Sequence, residues 1–129
     1  MRRMIWGLLF AFTFLFLSME GFASISSVKI LDGATATGAG EVHFPACKDR
    51  VYHLLGNVSA ATGAAGVTVE VSNDNVNWVS GGTMALTLGT TITSDSLPSV
   101  APWRYVRGNV TSISGTNAAV TLWLSCEIR

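Results

Sequence analysis

The sequence is short of charge. Only 12% of its 129 residues are Asp, Glu, Lys or Arg, and eight cations balance eight anions. Soluble domains average about twice that charge density. A balanced chain with no basic cluster lacks the electrostatic footprint of a nucleic-acid binder. Disorder is excluded by the opposite excess, because 49% of the residues are hydrophobic and disordered chains are polar and charged. Histidine is scarce, with His43 and His53 as the two in the chain. No G-x-S-x-G surrounds any serine, and neither H-E-x-x-H nor a paired C-x-x-C occurs. The nucleophile elbow of hydrolases and the common zinc motifs are thus missing. Even if His43 and His53 met across strands, two imidazoles would leave a tetrahedral metal site incomplete. The expectation is a protein that is not an enzyme and holds no cofactor. A helical stripe is also lacking in every window of about eleven residues downstream of the N-terminal apolar run.

That run accounts for much of the mean hydropathy of +0.43. Arg2 and Arg3 precede Met4–Met19, sixteen residues without a charge, and Gly21-Phe22-Ala23 then places small residues before Ser24. A basic start, an apolar centre and a small-residue exit are the parts of a secretory signal peptide. As a helix the apolar run spans roughly 24 Å, against about 30 Å of membrane hydrocarbon. This favours a signal helix over residues 1–23 that is cleaved over a retained anchor, and makes any membrane contact one through the leader alone. The expected location is periplasmic, cell-surface or extracellular. Cleavage leaves one domain, residues 24–129, with six cations against seven anions. Its polarity comes from Ser, Thr, Asn and Gly, a surface suited to close packing against neighbours, where charge is disfavoured.

Both cysteines, Cys47 and Cys126, lie beyond the leader. An even count in an exported chain points to a disulfide. Period-two alternation dominates the rest. In Gly66–Ser72, Val67, Val69 and Val71 share one face; in Ala118–Ile128, Val120, Leu122, Leu124 and Cys126 share one face and Thr121, Trp123, Ser125 and Glu127 the other. Trp103–Ile113 and Val51–Val58 alternate too, and weaker candidates are Ser27–Leu31, Glu41–Phe44, Asn77–Ser80, Met84–Leu88 and Thr91–Thr93. Turn signals separate them at Asp32-Gly33, Gly38–Gly40, Thr62-Gly63, Asn73–Asn75, Gly81-Gly82, Leu88–Thr90 and Ser114–Asn117. About eight short strands with such punctuation predict an all-β, antiparallel, jelly-roll-like sandwich, with a closed barrel as the alternative.

Two groups of residues are candidates for a site. Asp74, with Asn75 and Asn77, is either a turn whose Asx side chains bond their own backbone or an oxygen-rich ion site that lacks further carboxylates. Aromatics beside a cation form the second group. If Val106 and Val110 point inward, Trp103, Tyr105 and Arg107 share the outward face, and Trp123 extends it; the alternative places Trp78 and Tyr105 in the core. Asn57-Val58-Ser59 and Asn109-Val110-Thr111 match the N-glycosylation pattern, a weak signal in a Ser/Thr-rich chain.

The segment Val69-Glu70-Val71-Ser72-Asn73-Asp74-Asn75-Val76-Asn77-Trp78, followed by Trp103-Arg104-Tyr105-Val106-Arg107, resembles a small β-sandwich module of tailed-phage virion accessory proteins (decoration, fibre and minor tail components). It also resembles discoidin-like surface-binding domains. The resemblance spans about Ile30–Leu124 and departs where Val71 and Asn75 replace the glycines of the pattern. It implies a structural or interaction module of a surface or virion-like assembly, with itself, other surface or virion proteins, or glycans as partners. The leader and cysteine pair fit an exported relative. A carbohydrate-binding module that stacks sugars on exposed aromatics is the alternative function.

Overall fold

The computed structural model describes residues 24–98 and 103–128; the expected signal helix and its cleavage point lie outside them. Eight strands follow in order: β1 (Ser24–Ala34), β2 (Gly38–Ala39), β3 (Lys48–Asn57), β4 (Ala60–Ser72), β5 (Val79–Leu88), β6 (Thr93–Pro98), β7 (Tyr105–Thr116) and β8 (Ala119–Ile128). They form two four-stranded sheets, here A with order β1-β8-β3-β6 and B with order β2-β7-β4-β5. Every pairing is antiparallel. Strand one pairs with eight, two with seven, three with six and four with five, so the chain is nested like one long hairpin wrapped on itself. The expected all-β sandwich is present.

Alternation explains why the sheets face each other. On β4, Val67, Val69 and Val71 are buried; on β8, Val120, Leu122 and Leu124; on β7, Val106 and Val110. These side chains, with Tyr52, Leu54, Met84, Leu86 and Leu88, form one core cluster between the sheets. A cross-section this thin admits no side chain at Gly108, where a Cβ would sit 2.7 Å from Leu31 and 3.1 Å from Leu122. The sandwich therefore closes over a glycine at that point.

Several boundaries differ from those expected. Thr62-Gly63 is no turn but lies within β4, and Asp32-Gly33 lies within β1, where the register shifts and Gly33 takes φ 60°. Gly81-Gly82 is also no turn: β5 runs through it with a register shift opposite Val69 and Glu70, joining the two expected strands Asn77–Ser80 and Met84–Leu88 into one that starts at Val79. A bulge absorbs the extra residue without ending the ladder. Glu41–Phe44 is not a strand; His43 makes an isolated bridge to Val106, with hydrogen bonds of 2.8 and 3.0 Å. The strand expected at Thr91–Thr93 starts at Thr93 and runs to Pro98.

Cys47 and Cys126 form the expected disulfide, separated by 79 positions. Closing a loop of that length restricts the unfolded chain and stabilises the fold by about 4 kcal/mol in the chain-entropy model. Replacing both cysteines by serine is expected to lower the denaturant midpoint by a corresponding amount. Urea titration of the double variant checks it, with a slope that rises because the denatured chain, no longer cross-linked, exposes more surface.

Candidate functional site

The inward Val106 and Val110 turn Tyr105, Arg107 and Asn109 onto the outer face of sheet B. Glu70 stands opposite Arg107 in the β4–β7 register. Its carboxylate accepts hydrogen bonds from Arg107 Nε at 2.6 Å and Asn109 Nδ2 at 2.9 Å. Burial pushes the Glu70 pKa up, but the hydrogen bonds from Asn109 and Arg107 and the Arg107 charge outweigh it and hold the group below the usual carboxylate value. The Arg107 guanidinium also lies 4.2 Å from the Trp78 ring centroid. Trp78 is half-buried and belongs to this surface stack rather than to the core. Arg107 thus joins an aromatic ring on one side to a carboxylate on the other.

A second aromatic group adjoins the first. Phe44 and Tyr105 have ring centroids 5.6 Å apart, and the Arg104 guanidinium is 5.5 Å from each ring. Phe44 is 60% exposed, and Arg104 is exposed with no ion-pair partner among the described residues. Trp103 is not part of this outward face. The strand begins only at Tyr105, so alternation does not extend back to Trp103, which packs against the core while Arg104 faces solvent.

Arg50 organises this end of the sandwich. It is only 5% exposed, and its guanidinium donates to the carbonyls of Trp103 (2.7 Å), Pro45 (3.0 Å) and Cys47 (3.3 Å). One side chain thereby ties the segment carrying Phe44 to the start of β7, and the disulfide anchors the same segment to β8. No local pattern in the sequence announces a buried arginine whose partners are three carbonyls. The shortest bond reaches Trp103, 53 positions away, and the other two acceptors, Pro45 and Cys47, lie in an irregular segment without a strand pattern. Phe44 was equally hidden, in a segment without a regular strand.

Trp123 lies elsewhere. It is on the outer face of sheet A, between Lys29 of β1 and His53 of β3 in register, so the sandwich separates it from Tyr105 and Arg107. Lys29 Nζ is 5.3 Å from its ring centroid. Trp123, Lys29, Asn57, Thr121, Leu55 and Ile92 line an open groove of about 260 Å³. His53 shares that sheet face, while His43 belongs to sheet B, so the two histidines are not brought together. Among the described residues, no three of His, Cys, Asp and Glu converge as metal ligands.

The Asp74 loop forms an internally bonded turn. Asp74 Oδ1 accepts from Ser72 Oγ and from the backbone N–H groups of Val76 and Asn77, at 2.8–2.9 Å, and Oδ2 accepts from Asn77 Nδ2 at 2.6 Å. Asn75 takes φ 61°, a left-handed conformation that Asn tolerates. The Asn77 side chain, the two backbone donors and the Ser72 hydroxyl hold the Asp74 pKa well below the usual carboxylate range. Asn73 Oδ1 accepts from the Arg104 backbone N–H at 3.3 Å, so the loop also ties down the backbone that carries this exposed side chain.

No family model matches the chain, and no curated protein matches it in sequence. Among solved structures, the SPBc2 prophage-derived protein YomS is similar over 82% of this chain and 95% of its own, at 15% identity and a TM-score of 0.52. A CBM4 structure is similar over 81% of this chain and 71% of its own, at 11% identity and a TM-score of 0.46. The likeness to YomS is one of fold.

A depressed carboxylate pKa stabilises the fold above its unfolded value and is lost as the pH falls through the folded one. Glu70→Gln is therefore expected to cost about 1 kcal/mol at pH 7 and progressively less below pH 4. Thermal melts of both proteins across this range, with a narrowing gap at low pH, check the assignment.

Proposed function

We propose that the protein is a non-enzymatic, exported structural or interaction module that works by surface contact, as a subunit of a surface or virion-like assembly. The observation that carries this reading is the exposed Phe44–Arg104–Tyr105 group on an otherwise charge-poor sandwich. Aromatic rings flanking arginine are the residues in which binding energy concentrates at protein interfaces. The nested strand pairing of a jelly roll supports it, as does the prophage derivation of the protein of similar fold. Export is supported by the basic-apolar-small leader and by the disulfide, which persists in oxidising compartments. Partners are further copies of this chain or other surface or virion proteins; with balanced charge, nucleic acid is not among them. The chain is expected to form concentration-dependent oligomers in sedimentation velocity and polymers or rings by electron microscopy. A chain that stays monomeric at high concentration, with no assemblies on the grid, overturns the reading.

A second reading is favoured by the Trp123 groove. An indole beside Lys29, Asn57 and Thr121 offers a stacking surface with polar groups at its border, the composition of a carbohydrate site. This reading expects tryptophan fluorescence to respond to a bound oligosaccharide, and Trp123→Ala to abolish glycan binding while leaving the thermal midpoint in place. A glycan array without signal sinks it.

A further inference from the structure

One end of the sandwich carries two unlike surfaces. On sheet B, Phe44 projects beside the Arg104 guanidinium and Tyr105. On the outer face of sheet A there is a hollow of about 340 Å³ whose lining includes Ile25, Val51 and Asp49. Ile25 is 79% exposed and Val51 43%, so the floor of the hollow is apolar and open. Asp49 is placed by a register irregularity between Lys48 and Val51 and takes φ 51°. Irregularities of this kind re-aim a side chain away from the ladder. The exposed Asp49 carboxylate makes no hydrogen bond or ion pair among the described residues, just as Arg104 has no carboxylate partner there.

The two surfaces match in kind. One offers a ring and a cation; the other offers an apolar hollow and an anion. They lie on the outer faces of different sheets, so a molecule cannot satisfy them within itself. We propose that Phe44 and Arg104 of one copy dock into the Ile25–Val51–Asp49 hollow of a second copy, Arg104 pairing with Asp49. This rests on the assembly reading above and specifies its contact. Because the two surfaces differ, the contact is head-to-tail. Such contacts repeat to a closed ring where the rotation closes and to a filament where it does not. Glu127 also lines the hollow and adds to its acidic character. The rest of the chain has little charge to oppose the approach, so the cation of one copy and the acidic hollow of the next set the register between copies.

Charge reversal tests the contact. The full chain is expressed through an export pathway and purified in the form that the host releases, and association is followed by sedimentation velocity. Arg104→Glu and Asp49→Lys are each expected to weaken association about tenfold or more, because like charges then face each other. Combining them restores the pair with reversed polarity and is expected to recover association. Asp49→Asn, which keeps a residue tolerant of the left-handed backbone, is expected to weaken association without reversing the charge. Thermal melts establish that the variants are folded, and Phe44→Ala probes the apolar half of the contact independently. If the wild-type chain associates but the single reversals leave it unchanged, or the double variant stays weak, this contact is wrong and the assembly reading stands. If the wild-type chain does not associate at all, both fall together.

Discussion

Burial of one face of each sheet is the constraint on which the rest of this structure depends. Strands β3, β4, β5, β7 and β8 present their apolar side chains at alternate positions, and the two inner faces meet with Val67, Val69, Val106, Leu122 and Leu124 almost wholly excluded from water. A side-chain period of two means that once the inner set is chosen the outer set follows, and a slip of one residue would exchange them. The outward positions of Glu70, Tyr105, Arg107 and Trp123 are therefore consequences of valines and leucines next to them. Where the pairing does shift, within β1, β3, β4 and β5, bulges take up the mismatch and keep the core faces inward.

The end of the sandwich that carries the exposed aromatic group depends on a second interaction. The segment from Glu41 to Cys47 pairs with β7 only through His43, so strand hydrogen bonding alone does not secure it. Arg50 supplies three hydrogen bonds to backbone carbonyls and the disulfide supplies a covalent tie. A buried guanidinium is tolerated because three carbonyl dipoles satisfy its donors in place of an ion pair. The Asp74 loop braces the same end from the other side through Asn73 and Arg104. Phe44, Arg104 and Tyr105 are thus presented on a surface held by several independent ties.

Much of the fold was legible because alternation is local. The apolar faces of β4 and β8 follow from residues two apart. Strand β7 carries Val106 and Val110 on one face and Tyr105 and Arg107 on the other, so alternation alone left its inward face open until the structure buried the valines. Glycine was a poorer guide: Gly63, Gly81 and Gly82 lie inside strands, where close backbone approach or a bulge requires them, whereas turn chemistry alone marks them as breaks. Trp103 shows the same limit. Alternation places it with Tyr105 only if the strand already runs through Trp103, and the backbone bends before Tyr105 instead.

The sequence by itself determined that the chain is all-β and that on the last strand Val120, Leu122 and Leu124 share one face and Trp123 the other, since these depend on neighbours along the strand. It also singled out Cys47 and Cys126 as the one possible pair. That two sheets pack as a sandwich, with Val106 and Val110 inside and Tyr105 and Arg107 outside, was decided by the tertiary structure. Tertiary structure alone decided which outward residues share a surface. Trp123 and Tyr105 fall on different sheets, Trp78 joins Arg107 and Glu70, and Phe44 joins Arg104 and Tyr105. Those groupings depend on which strands become neighbours and on how an irregular segment is pinned by Arg50, and positions distant in sequence meet only when the nested pairing is complete.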